Sequence, residues 1–434
     1  MTDSSPATAD ADADVPGVPR PPAGADPPAG TRPPAGRLGA FLGWARERAS
    51  TRWAFVAALF VGSKLLLTLV GLLALHAYDG VNVTFTPDDT LMSEQKGAIS
   101  PHHWLSMWYA WDSFIYQRLA SEPLDGWHDF AFPLLYPFLA RAVGFVLGGH
   151  TAIALLVVSN VAYVFLLYYA YRLAEQLLGD DAAARRFTRY VVLMPAAFLF
   201  QAALTESLFV GLALAAFFYA ERRQWLIVGV VGFFLALSRS VGFLVVVPLA
   251  LILLRQHDYR IAPRALRKAL REYVRTGWPL VLVPAGWLSF MAFCRWKAGD
   301  WFAYKHAQEE GWNIVMHDPL RTLRDGLTVA EPQDAVRVWF AVIALVLVAV
   351  AFALRYLRPA YALYTLLMVV VPLTIGPPVY KSLIRYLLAA FPLCLVFARW
   401  ARHATVDTYL TAALALTQGA LFVVWLNYWA HFIV

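Results

Sequence analysis

The feature that most limits how this chain can fold is its succession of apolar runs. The first extends from Trp53 to Leu75, and others begin near Ala152, Tyr190, Ser207, Trp225, Val241, Trp278, Val338, Tyr361, Leu387 and Tyr409. A helical stretch of about 20 apolar residues matches the hydrocarbon thickness of a bilayer, where the backbone must satisfy its own hydrogen bonds. The runs therefore predict an all-α polytopic membrane protein with about eleven transmembrane helices. Composition agrees: 60% of the 434 residues are hydrophobic, 15% are charged, and mean hydropathy is +0.55. A soluble domain is about half apolar and a quarter charged.

The charges then orient the spans. Arg37, Arg46, Arg48 and Arg52 precede the first run, so the positive-inside rule puts the N terminus in the cytoplasm and residues 76–150 outside. Loops assigned inside carry Arg172, Arg185, Arg186 and Arg189; Arg222 and Arg223; a basic stretch from Arg255 to Arg275; Arg355 and Arg358; and Arg399 and Arg402. The formal net charge of +7 is thus a topological signature, and nucleic acid is not an expected partner. The stretch RQHDYRIAPRALRKALREYVR reads as a cationic amphipathic helix against anionic lipid heads. Residues 1–36 are Ala, Pro, Gly and Asp with almost no large apolar side chain, a composition that cannot bury enough surface to fold. They are expected as a disordered cytoplasmic tail ahead of a single transmembrane domain, 37–434, with the C terminus outside and the chain in the cell membrane.

Outer segments collect the unusual chemistry. The first outer loop, 76–150, holds an aromatic-rich stretch from Trp104 to Arg141 containing Asp112, Tyr116, Arg118 and Asp129. If WYAWDSFIYQRLA is helical, Asp112 and Tyr116 share a face and Arg118 points elsewhere. Read locally, Asp112 is an N-cap. The runs Tyr190 to Leu204 and Trp225 to Leu237 are short for spans, which brings Thr205–Ser207 and Ser238–Ser240 near membrane depth. Ionisable groups there are costly, so Glu206 and Arg239 face a polar cavity or each other. A second outer loop, 297–336, offers Gln308 and Trp312 for hydrogen bonding to and stacking on a sugar, and a later outer stretch supplies Lys381 and Arg385. Lys64, well inside the first run, reads as a cation beside a lipid phosphate or paired with Glu206. The two cysteines, Cys294 and Cys394, suggest neither a disulfide framework nor a thiolate site, and no His spacing suggests zinc. No metal and no cofactor are expected.

Several stretches are similar to one known family. Trp111, Asp112, Tyr116 and FAFPLLYP at Phe130 to Pro137 resemble the PIG-V family of membrane mannosyltransferases, and TESLF, SRSVG, GDWFAYKHAQEEGW and IRYLLAAFPL follow in matching order. The interval SEPLDGWHD departs from that family's usual Gly-Tyr pair, and Pro133 and Pro137 stand one residue further apart than in the usual form. The resemblance implies a GT-C glycosyltransferase with a long helical first extracytoplasmic loop. It also implies an active site outside, a polyprenyl phosphate mannose donor, and a lipid or glycan acceptor hydroxyl. Such a donor carries its leaving group, so the enzyme needs a base and cations for the phosphate. The match makes Asp112 the expected base, acting with inversion, and Asp129 the reserve. Arg239, Arg385 and Lys64 are the expected phosphate ligands. Transfer of a different sugar, or lipid transport without transfer chemistry, are the alternatives. Activity is expected to survive excess chelator; loss restored by magnesium would contradict the absence of a metal.

Overall fold

The computed structural model describes residues 37–77, 79–80, 98–100, 102–258, 266–328, 347, 350–351, 354, 355–376 and 379–426, with backbone alone at 37–50, 266–270, 326–328 and 380–381. The expected tail 1–36, residues 329–336 of the second outer loop, most of the run beginning at Val338 and the Lys381 side chain lie outside the described side chains or residues. The chain divides into two units, Met1–Arg52 and Trp53–Val434. The first is described from residue 37, as helical backbone alone up to residue 50. All that follows concerns the second.

Among the described residues the regular structure is helical throughout. Four helices are long and apolar enough to cross a membrane: Thr51–Ala77, Thr151–Leu178, Arg271–Ala298 and Ala404–Leu426. A fifth appears if Ser382–Ala389 and Leu393–Trp400, which meet at a 72° bend, form one broken span. In chain order we name α1 (Arg37–Ala77), α2 (Asp112–Ser121), α3 (Leu135–Val146), α4 (Thr151–Leu178), α5 (Asp181–Leu193), α6 (Glu206–Glu221), α7 (Trp225–Ser238) and α8 (Val246–Gln256). The remainder are α9 (Leu266–Gly277), α10 (Leu282–Ala298), α11 (Ala303–Trp312), α12 (Pro319–Thr328), α13 (Pro359–Leu373), α14 (Val379–Tyr386), α15 (Leu393–Trp400) and α16 (Ala404–Leu426).

Local chemistry explains the boundaries. Gly179 ends α4 in the left-handed conformation, at φ 71°, and Asp180 then caps α5 by accepting from the Ala182 and Ala183 amides. The run from Tyr190 to Leu204, expected as a span, is not one helix. Pro195 disfavours helical geometry at Met194, whose ψ is 143°, so α5 stops at Leu193. A short 3-10 turn, Ala197–Gln201, follows, and the chain then extends toward Glu206. This irregular backbone is buried, and the Ala203 amide donates to the Trp108 carbonyl at 3.0 Å. Non-helical backbone survives at such depth only where protein satisfies it.

The core is centred on α4, packed by α3, α5 and α6, while α6 packs α7 and α7 packs α10. Small residues set the last of these contacts. A Cβ on Gly286 of α10 would fall on the Phe233 carbonyl of α7, and one on Gly229 would meet the Pro279 carbonyl. Glycine lets the two backbones touch, the usual way helices associate in lipid. Gly286→Ala should therefore force the pair apart and destabilise the detergent-solubilised protein by about 1–3 kcal/mol. Gly419→Ala, whose Cβ meets nothing within 4 Å, should leave the thermal midpoint unchanged or raised. Equal midpoints for both variants would contradict the close-packing account.

Candidate functional site

The segment before α2 is pinned at several points. Trp425 Nε1 donates to the Met107 carbonyl at 2.8 Å and the Tyr109 hydroxyl donates to the Ala152 carbonyl, while on α3 Tyr136 donates to the Leu155 carbonyl of α4 at 2.9 Å. The other end of α2 is held by Arg141, whose guanidinium donates to the carbonyls of Leu119, Ala120 and Glu122. Between these anchors Trp111 adopts φ 49°, ψ −109°, a sparsely populated geometry for a side-chain-bearing residue. The strain sits one residue before Asp112. Asp112 itself is the first helical residue and caps nothing; the capping position is occupied by Trp111, without a side-chain hydrogen bond.

Instead the Asp112 carboxylate accepts from Arg385 Nη1 at 2.5 Å. Arg385, buried on α14, also donates through Nε to Glu206 Oε1 at the start of α6. The same oxygen accepts from Arg239 Nη1 at 2.5 Å. Four segments distant in sequence thus converge on a row of alternating charge: Asp112, Arg385, Glu206, Arg239. The two carboxylates and two guanidiniums balance. Glu206 is buried and its Oε2 has no partner among the described residues.

Two cavities adjoin this row. One, of about 340 Å³, is lined by Asp112, Tyr116, Arg239, Tyr304, Gln308, Arg385 and Tyr386, with Val241, Val371 and Pro372 adding apolar wall. The other, of about 650 Å³, shares Asp112, Gln308, Arg385 and Tyr386 and adds Trp111, Trp312, Asn313, His317 and Ser382. Asp112 and Arg385 therefore stand on the boundary between them. Tyr116 shares the Asp112 face of α2 and packs edge-on against Phe132 and Tyr136. Burial, then the Asp112 charge, raise its phenol well above the ordinary range. Burial likewise pushes the Tyr304 phenol up to about 12, so neither hydroxyl ionises near neutrality.

The 340 Å³ cavity gets part of its wall from α11. Asp300 accepts from the Phe302 amide at 2.9 Å and from His306 Nδ1 at 2.7 Å, fixing the turn into the helix. The Phe302 amide and then His306 hold its carboxyl below the usual range. Gln308 donates to the Ala131 carbonyl and lines both cavities, while Trp312 packs edge-on against Phe132 at 5.2 Å.

Three residues expected at the site lie apart from the cavities. Asp129 is fully buried and has both oxygens engaged: Oδ1 accepts from Arg118, and Oδ2 from the Asp125 and Gly126 amides at 3.0 and 2.9 Å. Neither it nor Arg118 lines either cavity. They brace the turn between α2 and α3, which removes Asp129 as reserve base and keeps Arg118, expected to point away from Asp112, off both cavity walls. Lys64 does not meet Glu206, which is taken by the two arginines. Its ammonium lies 3.7 Å from the Trp108 ring centroid, in cation–π contact. Tyr304, Tyr386, Lys305, His317 and Arg141 were not foreseen. Tyr304 and Tyr386 stand beside residues already singled out, within GDWFAYKHAQEEGW and IRYLLAAFPL, and their own types carried no signal.

Among the described residues no group of three or more His, Cys, Asp and Glu side chains gathers to hold a metal ion. Comparison with models of known protein families and with curated proteins gives no match to the chain. Removing one member of a buried charge row leaves the others uncompensated, at a cost of about 3–5 kcal/mol. Glu206→Ala should lower the thermal midpoint of the purified protein sharply, because Arg385 and Arg239 lose their shared acceptor. A midpoint within a degree or so of wild type would mean that the row does not hold these helices together.

Proposed function

We propose that this chain is a GT-C glycosyltransferase of the PIG-V class, transferring mannose from polyprenyl phosphate mannose to a lipid or glycan hydroxyl outside the cell membrane. This reading includes about eleven spans, a cytoplasmic N terminus and an extracytoplasmic C terminus. The observation that carries it is the contact between Asp112 and Arg385, on the boundary of two cavities that both can reach.

A group transfer of this kind needs two substrates brought together at one base and one phosphate-binding cation. The acceptor oxygen attacks the anomeric carbon, the bond from that carbon to the phosphate oxygen breaks, and the acceptor proton passes to Asp112. Attack opposite the leaving group inverts the anomeric centre. The polyprenyl phosphate departs carrying the electron pair of the broken bond, and Arg385 and Arg239 receive its added negative charge through charge-assisted hydrogen bonds. Glu206 is a positioning residue, since it touches the arginines. Arg385 donates to the Asp112 carboxylate, so an arriving phosphate competes for the guanidinium and releases the base. The apolar wall of Val241, Val371 and Pro372 suits the first isoprene units, and Trp111, Trp312 and Gln308 suit a sugar ring.

The buried ionisable side chains favour transfer over lipid transport. Among the described residues the buried acidic and basic side chains are Asp129, Glu206 and Arg385, all in segments assigned outside by charge. A transporter is expected to carry such groups along a path through the membrane. The test is transfer of labelled mannose from polyprenyl phosphate mannose by membranes containing the protein, followed by lipid and glycan profiling. Asp112→Asn should lower transfer by about 10²–10⁴-fold at unchanged expression, and lower the thermal midpoint less than Glu206→Ala does, because Asp112 is 21% exposed and the amide oxygen can still accept from Arg385. Undiminished transfer by that variant, or movement of an unmodified lipid with no product, would overturn the reading. A panel of polyprenyl phosphate sugars tests mannose against other hexoses.

A further inference from the structure

We infer that a separate site, where α15 turns into α16, binds the phosphate of an anionic phospholipid headgroup. A cavity of about 420 Å³ opens there, lined by Tyr356, Arg399, Trp400, Arg402, His403 and Val406. None of these residues lines the cavities at Asp112, and the inference is independent of transfer chemistry.

No acid lines this cavity, although two arginines and a histidine do. The carboxylates on neighbouring elements are engaged elsewhere. Asp407 accepts from Arg189 and Tyr190; Glu221 takes Arg255 at 2.5 Å and Tyr361 at 3.1 Å, with Arg358 at 3.9 Å; Asp180 lies 3.8 Å from Arg186. Arg399 spends one N–H on the Tyr356 carbonyl at 2.8 Å, which fixes the guanidinium at the cavity wall. Arg402 has no acidic partner among the described residues. A concave cluster of uncompensated cations attracts an anion, and the guanidinium fork fits phosphate oxygens.

The surroundings select a lipid as the source of that phosphate. α16 is of membrane-spanning length, so its first turn stands near headgroup level. Trp400 and Tyr356, edge-on at 6.1 Å, are the residue types of the interfacial aromatic belt. Below the cavity Val406, Tyr409 and Leu416 form an exposed apolar stripe on one face of α16, a path for acyl chains.

The experiment is native mass spectrometry of the full chain in detergent, titrated with palmitoyl-oleoyl phosphatidylglycerol or phosphatidylcholine, with inorganic phosphate as competitor. Phosphatidylglycerol should be retained more strongly than phosphatidylcholine, and Arg399→Gln with Arg402→Gln should weaken its retention by about tenfold. The corresponding double Lys variant, which keeps the charge, should retain most of the preference. An unchanged preference in the double Gln variant, or equal loss in the double Lys variant, would overturn the site. Displacement of the lipid by inorganic phosphate would overturn its assignment to a headgroup.

Discussion

The structure around the site depends on one buried carboxylate shared by two arginines. Glu206 stands at the N terminus of α6, where free backbone amides favour negative charge, and receives Arg385 and Arg239 on a single oxygen. Burying any one of these charges alone would be severely unfavourable; buried together they hold one another in place. Arg385 extends the row to Asp112, so the first turn of α2, the start of α6, the connection after α7 and the end of α14 meet at one point. Asp112 and Arg385, at two ends of this meeting point, stand in the walls of both cavities.

Under the proposed transfer, this arrangement is the state from which the reaction starts. The row is neutral, which makes it tolerable beside an apolar core, and its more exposed carboxylate is Asp112, at 21% side-chain exposure against 1% for Glu206. Under the proposed transfer the two carboxylates have different work: buried Glu206 fixes the guanidiniums, and the more exposed Asp112 gives up its partner. Strain at Trp111, enforced by the anchors on Met107, Tyr109 and the end of α2, presents the carboxylate to both cavities at once.

Much of the framework can be read from local sequence, because its determinants are local. The Gly179-Asp180 junction and the shared face of Asp112 and Tyr116 follow from capping and helical spacing. Two short apolar hairpins and the cost of isolated charge in lipid set Glu206 and Arg239 facing a polar cavity or each other; the structure pairs them, with Arg239 also on a cavity wall. Other features depend on which surfaces meet in space. Arg385 could as well have turned to lipid heads; only the bend between α14 and α15 brings it to Glu206 and Asp112. Asp129 looks like a catalytic acid in sequence, and only the position of Arg118 and two amides reveals a turn brace. Hydropathy continued the run at Tyr190 through Pro195, although that proline ends the helix. The glycines of α7 and α10 are unremarkable until the other backbone is against them.

The most direct measurement is the structure of the protein bound to a non-transferable polyprenyl phosphonate mannose. The account requires the phosphonate oxygens within about 3 Å of Arg385 and Arg239, with the anomeric carbon beside Asp112 and Arg385 turned from that carboxylate. Density for the analogue elsewhere, with the Asp112 to Arg385 to Glu206 row intact and solvent filling both cavities, would contradict it.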